Sequence, residues 1–488
     1  MNVKARYILI ILLTLIITDV SAQNSQVGYF MNLPQGHLMN PALRPSSSIY
    51  VGLPALSGIH LNINNNFVNF SDIFMKDQVS DSIFSFLHTE NNNATVTSFL
   101  SKVKKRNFIE PEVMTQLLGV GFAVGENSYF SLDINEHAEG NIVIPGDLFR
   151  LALGGNESFV GSTIDLSTLK ANMVYYHEIG LGFSRNFTNK LRIGIRGKLL
   201  FGVGTVQTDN RSFGITVNDD YSHTLSGDVA FNTSGPVEIY TSQENIIDKV
   251  EWNKEKAKGS FFSGTKNPGL GLDIGATYDL TDRISLAASI NDLGFIRWKN
   301  DVSNVEFRST FDFSGFDILD VINGTKTMDE LASEMGDSLK NSVIISNTAK
   351  PFTTFLPASV TLGGSYTLNK YMTFGLLSYT RFIGKQVREA VTISANTSLS
   401  NVLSASLSYT MTNHRFDNLG AGIAVRAGWA QFYIMTDRIP VSWNRIKSDN
   451  TNFVLPNNWN TMNLRLGLNL VFGNGVKTKK DKPMVMVQ

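Results

Sequence analysis

Seven histidines, His37, His60, His88, His137, His177, His223 and His414, are the residues best suited to metal or acid–base work, and no two stand at metal-ligand spacing. His177 and Glu178 are adjacent; on a strand their side chains point to opposite faces and cannot share a metal. A hydrolase needs a serine with a histidine base and a carboxylate, yet the many serines recur along strand faces, with no Gly-x-Ser-x-Gly elbow. The glycine-rich stretches 202–204 and 269–275 lack the helix start that would make a phosphate cradle, so they read as strand glycines. The chain has no cysteine, which removes disulfides, a thiolate nucleophile and cysteine-bound zinc. The expectation is a protein that is not an enzyme and needs no metal and no cofactor.

Of the 488 residues 17% are charged, with 42 basic residues against 42 acidic ones. Soluble domains carry roughly 25% charged residues, so this chain is short of charge. Its neutral balance lacks the basic footprint that nucleic acid requires, and no nucleic-acid partner is expected.

The amino terminus has the three parts of a secretory signal: Lys4 and Arg6, an apolar run from Tyr7 to Ile17, then Val20-Ser21-Ala22 before a cleavage point. The run falls short of the ~20 residues a spanning helix needs. Residues 1–22 therefore read as a cleaved signal peptide, and the mature chain is expected to begin at Gln23.

Downstream, the dominant pattern has a period of two. Met462, Leu464, Leu466, Leu468, Leu470 and Phe472 alternate with Asn463, Arg465, Gly467, Asn469 and Val471; Leu403 to Thr412 alternates likewise against Ser404, Ser406 and Ser408. That is strand periodicity. Aromatic residues stand near short turns at Phe187, Tyr278, Tyr366, Tyr371, Trp429 and Phe472, where an interfacial girdle would place them. Walking outward from the turns gives about fourteen strands, from 58–67 to 462–472, an even number that returns both termini to the same side. The fold class is all-β, a transmembrane antiparallel β-barrel.

The opposite side carries the long connections 68–116, 137–173, 206–266, 295–356 and 439–461. Short helices are expected there at 316–322 and after the capping box Thr327 to Glu330, with Leu331, Met335 and Leu339 at helical spacing. They either fold the loop on itself or gather a ligand. Charges at polar-face positions, Arg192, Arg196, Lys198, Asp273, Arg426 and Arg465, are expected to face the lumen, because a charge in lipid is costly. There they either line a polar path, pair with the N-terminal segment, or satisfy one another in a closed barrel.

Just ahead of the first strand, Gly36-His37-Leu38-Met39-Asn40-Pro41-Ala42-Leu43 resembles the Asn-Pro-Ala element of the FadL-like outer-membrane transporters. The stretches 290–298 and 356–363 also look like segments of uncharacterised Gram-negative barrels and of PorV-like secretion accessories. The resemblance implies an N-terminal hatch at residues 23–48, with Asn40, Pro41 and Ala42 as its motif, a barrel at 49–473, and a location in the outer membrane of a Gram-negative bacterium. It further implies passive uptake of a hydrophobic small molecule; the competing reading is a non-conducting surface or secretion-accessory barrel that binds a protein partner. Expected partners are thus membrane lipid, a hydrophobic ligand or a secretion-system protein. One departure stands out: Phe472 ends the last strand, yet a basic tail, 474–488, follows with Lys477, Lys479, Lys480 and Lys482.

Overall fold

Alternating side chains give a strand one face for lipid and one for the interior, and a ring of such strands leaves no unpaired edge in the membrane. The computed structural model describes residues 26–31, 33–69, 74–76, 83–85, 93–241, 247–253, 266–313, 344–384, 386–399, 402–412, 415–439, 443–448, 451–456 and 461–473. The signal peptide, Gln23, the two loop helices expected near 316–339 and the basic tail lie outside these residues.

The wall strands are β1 (Ile49–Gly52), β2 (Ile59–Asn65), β3 (Arg106–Val124), β4 (Ser128–Pro145), β5 (Lys170–Asn186), β6 (Leu191–Val217), β7 (Pro268–Asp279) and β8 (Ile284–Trp298). They continue as β9 (Ser359–Thr367), β10 (Met372–Ile383), β11 (Gln386–Leu399), β12 (Leu403–Thr412), β13 (Arg415–Ala427), β14 (Ala430–Thr436) and β15 (Thr461–Phe472). β1 and β2 lie end to end between β3 and β15 and form a single interrupted stave, so the closed antiparallel barrel has 14 strands. Each later strand pairs with its successor, and the ring shuts where Ile49 faces Phe472.

Short turns lie on one side. Gly428, at φ +62°, allows the two-residue turn between β13 and β14. Side-chain oxygens shape others: Thr281 Oγ1 accepts from the Ile284 amide at 3.0 Å, and Asn369 Oδ1 from the Tyr371 amide at 2.8 Å. Phe187, Tyr278, Tyr366, Tyr371, Trp429 and Phe472 are all exposed at this rim. Above them the outer face is a belt of exposed apolar residues, among them Leu181, Ile195, Leu270, Leu362, Leu376, Ile393, Leu407 and Phe432. So broad an apolar surface is stable only against lipid. Among the described residues no helix is long and apolar enough to cross a membrane.

On the other side the strands outrun the bounds expected from the sequence. β3 begins at Arg106, β4 ends at Pro145, and β6 runs for 27 residues, where a tilted crossing needs about 9–11. Beyond the hydrocarbon the outward face no longer has to be apolar, so the period-two signal fades while the hydrogen-bond ladder goes on. The extension continues the sheet of the barrel wall. His223–Ser234 pairs with β6 and with Val302–Phe313, Ile344–Thr348 adds to the far edge, and Ser162–Asp165 pairs with the tip of β6. Two helices, α1 (Asn93–Lys102) and α2 (Gly146–Gly154), pack around Phe67, Phe99 and Val103, with Phe149 and Leu153 against them. From the sequence alone these segments read as loop.

The N-terminal segment packs on the apolar side chains that the wall turns inward. Val27, Met31 and Leu33 pack on Ala424, Tyr433 and Met435, while Tyr29, Phe30 and Leu43 pack on Ala287 and Leu377. Each such side chain stabilises the fold by about 1.5–3 kcal/mol when buried.

Candidate functional site

The lumen is organised in three tiers, the lowest being the N-terminal segment. Its 3-10 turn, Pro34–Leu38, starts on a proline and presents Gln35 and His37 to the wall. Gln35 Nε2 donates to Ser57 O at 2.9 Å and to Asn469 Oδ1 at 2.8 Å. His37 Nε2 lies 2.8 Å from Asp133 Oδ2 while its Nδ1 lies 2.7 Å from Pro34 O. Both ring nitrogens thus face oxygen atoms, one of the wall and one of the turn itself. Asn40 is fully buried; its Oδ1 accepts from the Ala42 amide at 2.9 Å and its Nδ2 donates to Tyr29 Oη at 3.0 Å. Pro41 lies against Gly194 and Asn40 against Gly275, where no Cβ would fit.

The middle tier is ionic. Arg196, 1% exposed, donates to Glu178 Oε1 at 2.5 Å and Asp273 Oδ2 at 3.2 Å, with Asp133 Oδ2 3.4 Å from its Nε. Lys198 Nζ sits 2.6 Å from Asp292 and 2.7 Å from Asp273. A bulge makes this possible: register slips between Leu272 and Ile274, and Asp292 adopts φ +62° so that it joins Asn291 on the lumen side of β8. Two strong cations and four carboxylates, Asp133, Glu178, Asp273 and Asp292, make a network that tolerates burial only because every member is bonded.

The upper tier spans the lumen from wall to wall. Arg381, on β10, reaches Glu112 of β3 at 2.9 Å and Glu139 of β4 at 2.6 Å. Arg388, on β11, reaches Glu110 of β3 at 2.5 Å, its guanidinium 4.3 Å from the centre of the Phe108 ring. Outside this tier is a chamber of about 450 Å³, with Met173, Val174, Val206, Phe355, Leu356 and Phe382 on its apolar side and the ion pairs on its floor. Beneath lies a smaller chamber of about 90 Å³ bounded by Leu38, Met39, Asn135, Glu178, Asn291 and Arg465.

Of the six charges named from the sequence, the structure gathers only some. Arg196, Lys198 and Asp273 form the middle tier. Arg465 stands higher, its Nη2 3.4 Å from His60 Nδ1, on the inner chamber. Arg192 and Arg426 belong to the short-turn rim, donating to Asn186 Oδ1 at 2.7 Å and to Gly428 O at 3.0 Å. His177 and Glu178 do diverge: His177 Nδ1 is 3.6 Å from Glu136 Oε1, Glu178 faces the lumen, and no cluster of three metal-ligating side chains occurs among the described residues.

The sequence offers no lumen role for His37, Asp133, Glu178, Asp292, Arg381, Arg388 or the glutamates they meet. The available signal was parity: Asp133 falls between Ser131 and Asn135 on a polar face, and Arg381 continues the inward set Thr373, Gly375, Leu377 and Tyr379.

A family model described as "Family of unknown function (DUF5723)" matches residues 41–437. No curated protein matches the sequence. Solved structures similar to the chain include a Pseudomonas aeruginosa FadL homologue, at 9% identity over 94% of this chain and 100% of that one, TM-score 0.43. The Ralstonia pickettii toluene transporter TbuX aligns at 11% identity over 92% of this chain and 98% of the other, TM-score 0.40. For the P. putida toluene transporter TodX the figures are 10%, 92% and 95%, with a TM-score of 0.40.

Proposed function

The chain belongs to the DUF5723 family, whose function is unknown, and from the layout of its lumen we propose that it is a Gram-negative outer-membrane barrel for the passive uptake of a hydrophobic small molecule. The carrying observation is the outer chamber: about 450 Å³, within the roughly 300–1,000 Å³ range of small-molecule sites, and lined by apolar residues together with five charged ones. Its shape suits an amphiphile. Each methylene buried on the Met173, Val206 and Phe382 side contributes about 0.8 kcal/mol, and the polar end meets the Asn64, Arg381 and Glu139 side. No energy-coupling element enters this reading; the ligand moves down its gradient once the N-terminal segment, residues 23–48 with the Asn40-Pro41-Ala42 motif, yields.

Export by a signal peptide cleaved after Ala22 belongs to the same proposal, and mass spectrometry of the mature chain checks it. The test of uptake is titration of the purified barrel with a fluorescent fatty acid. Saturable binding displaced by an unlabelled one supports the reading; linear, non-displaceable uptake of the dye overturns it.

A second reading is favoured by one observation, the sheet that β6 carries beyond the membrane together with a lumen filled by its own chain. That combination suits a non-conducting accessory barrel that docks a protein. Absence of saturable ligand binding, with co-purification of a secretion component, would select it.

A further inference from the structure

The two chambers share only a few lining residues: Glu112, Glu139, Pro357 and Arg381. Of these, Glu112 and Glu139 stand on one wall, and Arg381 reaches them from the other, beside Pro357. Its strand, β10, stands half-way round the ring from β3, and its two bonds, 2.9 Å to Glu112 and 2.6 Å to Glu139, tie opposite walls together where the chambers meet. The inner chamber is not a packing defect. Buried carbonyl oxygens of Gln26, Asn135 and Asn291 line it or border it without a hydrogen-bond partner, and native proteins rarely leave such acceptors unmet. About 90 Å³ holds roughly three waters at ~30 Å³ each. Its lining is polar, with Arg196, Lys198 and Arg465 beside these amides and Glu178, whereas the outer chamber offers apolar wall.

We propose that Arg381 is the specificity-determining residue of the lumen: its guanidinium closes a polar inner site against the outer chamber, and that inner site takes the small polar end of a cargo when the guanidinium swings away. The apolar part of the cargo stays above. This deepens the uptake reading and rests on it, but the test below needs no cargo, so failure of fatty-acid binding and failure of the septum are separate results.

The chain's lack of cysteine makes thiol protection a clean probe. Leu38→Cys places a thiol on the inner chamber only, and Asn141→Cys places one on the outer chamber only. Each purified barrel is exposed to silver ion, quenched, unfolded and counted for remaining thiols, with heat-modifiable migration confirming that it was folded. With Arg381 present, silver should reach Leu38→Cys about tenfold or more slowly than Asn141→Cys, the protection expected of a closed local state. In the Arg381→Ala background the two rates should converge. Because that change takes the shared guanidinium from Glu112 and Glu139, the triple variant Glu112→Gln/Glu139→Gln/Arg381→Ala is run beside it and decides the matter if the single variant does not fold. Equal rates with Arg381 in place, or continued protection of Leu38→Cys in a folded triple variant, would overturn the proposal.

Discussion

Gly194 and Gly275 face each other directly across the β6–β7 ladder, and the hollow left by their two missing side chains is filled by Asn40 and Pro41 of the N-terminal segment. The wall is thus cut to receive the plug. Alanine at either position should drive its methyl into the Pro41 backbone or the Asn40 amide and cost about 1–3 kcal/mol. Gly197, on the same strand with open space around it, is the control: alanine there should be neutral or slightly stabilising. Thermal unfolding of the three variants measures the contrast, and equal melting temperatures would sink the fit.

Deleting residues 23–48 should leave the hydrogen-bonded wall able to insert, since every stave pairs with its neighbours without the segment. It should also empty the lumen of Tyr29, Phe30 and Met31. Liposomes carrying the truncated barrel are expected to swell faster in small sugars than those carrying the full chain. Unchanged swelling would mean that something else seals the barrel.

Arg196 and Arg211 separate buried from exposed charge. Arg196→Leu strands Glu178, Asp273 and Asp133 in the interior, a loss of about 3–5 kcal/mol. Arg211, half exposed beside Asp228 at 3.4 Å, should cost under about 1 kcal/mol as alanine. Denaturation of both variants under one set of conditions gives the ratio; comparable losses would contradict the network described.

Filling the outer chamber is the direct challenge to uptake. Val206→Trp places an indole in the space that the ligand needs, and affinity for a fluorescent fatty acid should fall about tenfold or more, worth roughly 1.4 kcal/mol, with the melting temperature little changed. Wild-type affinity in the filled variant would move the site elsewhere.

The wall was legible because lipid imposes a rule on every second residue. Met462 to Phe472 and Leu403 to Thr412 announce both their strand character and their outward face. The rule stops where lipid stops, which is why the upper halves of β3, β4 and β6 read as loop. It also never specified β1, whose four residues are too few for a period and are cut from β2 by the turn through Pro54 and Ala55, the latter at φ +57°. The interior was less legible for a topological reason. Arg381 and Glu112 are 269 positions apart, and nothing local in either segment records that ring closure will bring them to opposite ends of one ion pair.

Ring closure has a consequence for biogenesis. The final stave of the ring, β15, must find the first, and beside that seam Asn469 and Gln35 exchange hydrogen bonds at 2.8 and 3.2 Å. The amide of Asn469 is fully enclosed with the cork in place, so a cylinder that zipped shut with its cork left outside would leave that amide to lumen water. An assembly machine that held the seam ajar until the cork was seated would pair the two amides at the moment of closure.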